Sequence, residues 1–151
     1  MRSLLVTVVM VAAITAFADD LEDLKAASVR YVTAMKAVLA LSDGSDCSER
    51  IAKANVYAAA EADYYRAARQ AMPNLLQIAK RDKTDSTYGE ELARIFHDFG
   101  DDRDQEASGM LESKLNLCPR SDQRDQACLA VDRAQQVAEQ FVRDCSGLEG
   151  I

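Results

Sequence analysis

Residues 46–72 read DCSERIAKANVYAAAEADYYRAARQAM. Asp46 followed by Glu49 is the D-x-x-E form of a capping box and marks a helix start. Ile51, Ala54, Ala58, Tyr65, Ala68 and Met72 then recur on one stripe, the period of an amphipathic helix. Alanine fills most of the remaining positions, and small side chains let two helix axes approach closely. Pro73 lacks a backbone donor and clashes with the preceding turn, so the reading predicts a kink or restart there. A proline suits the first turn of a new helix, here Asn74 to Arg81.

Working toward the N-terminus, Ser42-Asp43-Gly44-Ser45 is a turn. Before it, Leu21, Leu24, Tyr31, Met35 and Val38 form one stripe of a helix from about Leu21 to Leu41. Upstream lies a different pattern: Arg2, an uncharged run from Leu4 to Phe17, then Ala16-Phe17-Ala18 ahead of Asp19. A basic start, an apolar run and an A-x-A site describe a secretory signal peptide, cleaved after Ala18. The run is 14 residues, and spanning a bilayer takes roughly 20. The expected organisation is a signal peptide over 1–18 and a single helical domain over 19–151, secreted or periplasmic and not membrane-spanning once mature.

Working toward the C-terminus, Lys80 to Thr87 is polar and reads as a loop. Thr87 and Glu90 make a second capping box, and Leu92, Ile95, Phe96 and Phe99 follow on a stripe. Gly100 interrupts it. Met110, Leu111 and Leu115 resume the pattern up to Cys118, and Pro119 stops it. A last helix runs from near Ser121 to Cys145, with Cys128, Val131, Ala134, Ala138, Phe141 and Cys145 in one broad stripe. The predicted fold is all-α, a compact bundle of four to five amphipathic helices.

The net charge is −7, and loss of Arg2 makes the mature chain one unit more acidic. Such a surface repels phosphate backbones and anionic lipid, so nucleic acid is excluded as a partner. The four cysteines, Cys47, Cys118, Cys128 and Cys145, read as two disulfides in an oxidising compartment. Cys128 and Cys145 sit 17 residues apart on one expected helix, roughly 25 Å. A disulfide needs Cα atoms within about 7 Å. Excluding that pair leaves two pairings, of which Cys47–Cys145 with Cys118–Cys128 is preferred. This choice requires the Pro73 and Gly100 breaks to redirect the chain, because a simple up-down bundle puts Cys47 and Cys145 at opposite ends.

Candidate chemistry is sparse. His97 is the only histidine, too few for a zinc-protease or di-iron pattern. No C-x-x-C or G-x-S-x-G occurs. The acidic group Asp98, Asp101, Asp102, Asp104 and Glu106 lacks calcium-loop spacing and reads as a solvated turn. No metal or cofactor is expected.

His97-Asp98-Phe99-Gly100 resembles part of the His-Asp motif of the secreted fungal and bacterial phospholipase A2 family. Asp43-Gly44-Ser45-Asp46-Cys47-Ser48 resembles its calcium loop, and Cys118 to Cys128 its second disulfide. The resemblance implies His97 as general base on a water, with Asp98 holding a Ca²⁺ that polarises the ester carbonyl. It departs from the family where Arg94 and Phe96 replace a cysteine and an arginine, and where Asp101 replaces an aromatic. The other reading places His97 at the boundary of a buried face, beside Phe96 and Phe99.

Tyr31, Tyr57, Tyr64, Tyr65, Phe96, Phe99 and Phe141, with Met35, Met72 and Met110, serve either as ordinary core or as the lining of an apolar ligand cavity. Tyr64 and Tyr65 are adjacent, so their side chains diverge by about 100°. One of them is expected to be partly exposed and to anchor a partner. The first reading is a non-catalytic binding protein acting on a protein partner. The alternatives are a carrier of a small apolar ligand and a Ca²⁺-dependent lipid hydrolase.

Overall fold

The computed structural model describes residues 2–81 and 103–145, with side-chain surroundings for 19–74, 76 and 106–144. These residues form α1 (Arg2–Leu39), α2 (Cys47–Arg81), α3 (Arg103–Asn116) and α4 (Asp122–Cys145). Among the described residues there is no strand, as the periodicity predicts. The expected helix from Thr87 and the break at Gly100 lie outside the described residues. The apolar run before Ala18 and the first amphipathic stripe belong to one 38-residue helix. No helix among the described residues is long and apolar enough to cross a membrane.

Two caps stand where the sequence places them. Asp46 Oδ1 accepts the Glu49 N–H at 2.8 Å, and Ser121 Oγ accepts the Arg124 N–H at 3.1 Å. Each satisfies one of the backbone donors that a helix start leaves open.

Helix α2 lies at the centre of the molecule. It packs along both α1 and α4, which scarcely touch each other, and α3 contacts all three. Tyr57 reaches Ser108 while Arg50 reaches Lys114, so α2 and α3 run antiparallel. Tyr65 meets Phe141 and Arg69 meets Asp144, so α2 and α4 run parallel. The four helices therefore alternate up and down.

Two-sided packing explains a correction. Tyr64 and Tyr65 are both buried, at 1% and 2% exposure, although they point in different directions. A helix with neighbours on two sides buries far more than one stripe. Ala58, Ala60, Glu61 and Ala62 are buried in the same turns. The partial exposure expected for one of the two tyrosines does not occur.

Tyr31 of α1 stacks on Tyr64 at 5.1 Å and meets Tyr57 and Tyr65 at 6.0 and 6.1 Å. Tyr65 continues to Phe141 of α4 at 5.7 Å. Tilted and edge contacts of this kind suit the ring quadrupole and add to the burial of apolar area. Leu24, Val38, Leu111 and Leu115 extend the core along the axis.

Pro73 gives a second correction, to the expected restart: it lies inside α2, which continues through it to Arg81 as one helix. The residue is exposed, so its ring costs one ladder hydrogen bond without displacing a core contact.

The disulfide gives the third. Cys47 bonds to Cys118, with Cα atoms 5.6 Å apart, and Cys128 is a free thiol. The preferred pairs Cys47–Cys145 and Cys118–Cys128 are both excluded by that bond. Cys145 lies at the end of α4 nearest Arg69, whose ion pair with Asp144 is 2.7 Å. Arg69 is 22 residues along α2 from Cys47, roughly 33 Å of helix. Cys47 and Cys145 thus occupy opposite ends of the bundle. The incompatibility of Cys128 with Cys145 stands, because both are on α4. The error lay in requiring all four cysteines to pair.

Candidate functional site

Three regions carry polar or reactive groups: the disulfide corner, the buried polar cluster of α2, and two surface grooves beside α4.

The corner joins the α1–α2 turn, the start of α2 and the end of α3. Arg50 is 5% exposed. It donates from Nη1 to the Lys114 carbonyl and from Nη2 to the Asp43 carbonyl, each at 3.0 Å. A guanidinium holding the last-turn carbonyl of a helix satisfies an open acceptor and complements the negative end of the helix dipole. Its Nε is buried with no hydrogen-bond partner among the described residues. Above it the Lys114 ammonium donates to the Asp43 carboxylate. That hydrogen bond first, and the Lys114 charge second, hold the Asp43 carboxyl below its ordinary value.

These contacts bear on the segment that resembles a calcium loop. Asp43 is engaged by Lys114, and Asp46 caps α2. Both carboxylates thus have structural work in the corner, and Cys118 bonds to Cys47 rather than to Cys128. His97 and Asp98 lie outside the described residues.

The middle of α2 holds Glu61 at 0% exposure. Tyr57, Tyr64 and Tyr65 stand four residues before, three after and four after it, which places them on neighbouring positions of the helix surface. Tyr57 Oη and Ser108 Oγ share a buried hydrogen bond of 3.2 Å across the α2–α3 contact. Low dielectric strengthens such a bond and makes its loss costly.

The first groove, about 420 Å³, lies between α3 and α4. Cys128 is half-buried in its wall with Leu115 and Val131, and Glu112, Asp125 and Asp132 line it together with Arg124. The second groove, about 400 Å³, lies between α2 and α4. Arg66 and Arg69 on α2 and Arg133 on α4 line it, and no carboxylate among the described residues does.

Sequence reasoning did not single out these arginines. The available signal was the i, i+3 spacing of Arg66 and Arg69, which puts two cations on one face of a helix in an acidic chain. Recognising Arg133 as their neighbour requires knowing that α4 packs beside α2. No protein-family model matches the chain, and neither a curated protein nor a solved structure matches it.

Proposed function

We propose that the mature chain is an exported, non-catalytic helical protein that acts by binding a protein partner on the outside of its bundle. The observation that carries this reading is the aromatic interior. Five rings from α1, α2 and α4 pack centroid to centroid at 5.1 to 6.1 Å. The ring cluster occupies the centre of the three-helix contact, where an apolar cargo would need space. Interiors packed in this way bind nothing without repacking, whereas the grooves beside α4 are open to a partner. The leader-like segment before Ala18 supports export, and the acidic surface supports a partner other than nucleic acid.

Two measurements test the reading. The full chain, expressed with its own leader in an exporting host, should yield a product whose N-terminal residue is Asp19. A photo-crosslinker placed at exposed Gln136 should then give one discrete protein adduct in the native host. Two results contradict the reading. One is an apolar small molecule retained in native mass spectrometry. The other is Ca²⁺-dependent fatty-acid release from phospholipid vesicles that Asp98→Asn or His97→Ala abolishes.

A further inference from the structure

The groove between α2 and α4 has a charge opposite to that of the chain around it. The whole protein carries −7, yet among the described residues three guanidinia and no carboxylate line this groove. Arg66 pairs with Asp63 at 3.4 Å and Arg69 with Asp144 at 2.7 Å, from positions outside the lining. The two arginine side chains stay 65% and 60% exposed. Arg133 makes no ion pair among the described residues and is exposed. Val137, half-buried against the core, lines the same groove together with Tyr65 and Phe141. Gln136 and Gln140 add amide donors and acceptors along the α4 side.

This combination suits one chemistry. Arginine recognises carboxylates through paired N–H donors. An apolar strip beneath binds a single aliphatic side chain, and the two terms reinforce each other where the strip excludes water. From Arg133 to Gln140 the α4 wall rises roughly 10 Å, which matches about three residues of extended chain. We propose that the α2–α4 groove docks an acidic peptide segment of the protein partner. Its carboxylates engage Arg66, Arg69 and Arg133, and one intervening aliphatic side chain lies on Val137. The inference rests on the reading of the chain as a binding protein and names the surface and the partner chemistry.

The test uses the full disulfide-bonded chain and a fluorescent, amidated Glu-Asp-Leu-Glu-Asp peptide, followed by anisotropy. Saturable binding is expected, weakened at least tenfold in the Arg66→Gln/Arg133→Gln variant and by added salt, which screens exposed charges. The neutral Gln-Asn-Leu-Gln-Asn peptide should bind at least tenfold more weakly. Both substituted side chains are exposed, and an unchanged thermal midpoint verifies folding. No saturation below about 1 mM, equal affinity for the neutral peptide, or an unaffected variant each overturns the proposal. If the crosslinked partner is captured equally by the variant, the groove assignment fails while the binding reading stands. If no partner is captured by either protein, the reading itself fails.

Discussion

Replacing Cys47 and Cys118 together by alanine removes the bond that ties the start of α2 to the end of α3. The bond closes a loop of 71 residues. In the loop-entropy account, a closure of this length stabilises the fold by about 4 kcal/mol at room temperature. A domain of this size has a total stability of roughly 5–15 kcal/mol, so the loss is a large fraction of it. Near the midpoint this corresponds to a drop of about 10–20 °C. The double variant should still fold at low temperature, because Arg50 continues to bridge the Lys114 and Asp43 carbonyls and the ring cluster lies well away from the corner. Urea unfolding followed by far-ultraviolet circular dichroism measures the loss. Cys128→Ala is the control: the thiol is half-buried and unbonded, and its removal should cost less than about 1 kcal/mol. The reasoning is refuted if the double variant loses under about 1 kcal/mol, or if Cys128→Ala costs as much.

Other perturbations probe separate parts of the account. Phe141→Ala empties the α4 side of the ring cluster and should cost about 3–5 kcal/mol by chemical denaturation. Tyr57→Phe leaves the buried Ser108 hydroxyl without this contact and should cost about 1 kcal/mol, with a Tyr57→Phe/Ser108→Ala cycle showing non-additivity. Gly109 lies inside α3, has no positive φ, and an added Cβ meets nothing within 4 Å. Gly109→Ala should therefore raise stability by about 0.5–1 kcal/mol, and a neutral or negative result would contradict the local geometry. Asp43 titrates below its ordinary 3.8 in the folded state, so its contribution is present above that value and is lost as pH falls through the lower folded one. The side chain is 92% exposed, so Asp43→Asn should alter only the acid limb of the stability profile, slightly, and less at high salt.

The helical class was readable because burial and periodicity coincide on the flanking helices. Leu24, Tyr31 and Val38 on α1 and Val131, Ala134, Ala138 and Phe141 on α4 are buried as their spacing predicts. Asp46 and Ser121 cap where their residue types place them. Helix α2 was misread around Tyr64 and Tyr65 because a single-stripe reading assumes one buried face, and this helix has two. Its abundant alanines carry the relevant signal: small residues on several sides of a helix permit close neighbours on several sides. The cysteine pairing failed for a different reason. The geometric exclusion of Cys128–Cys145 is sound, but joining it to an assumption of complete pairing also removed Cys47–Cys118. Local sequence holds no information about which helix ends meet. The Lys114–Asp43 and Arg50–Lys114 contacts that accompany the bond are separated along the chain by 71 and 64 residues. The arginine groove shares that limitation, because two helices remote in sequence build it.

Peptide mapping of the purified chain under non-reducing conditions, after alkylation of free thiols, tests the arrangement of the bundle most directly. An up-down order with α2 at its centre predicts a linked peptide pair containing Cys47 and Cys118, with Cys128 recovered alkylated. A Cys47–Cys145 or Cys118–Cys128 crosslink would contradict it.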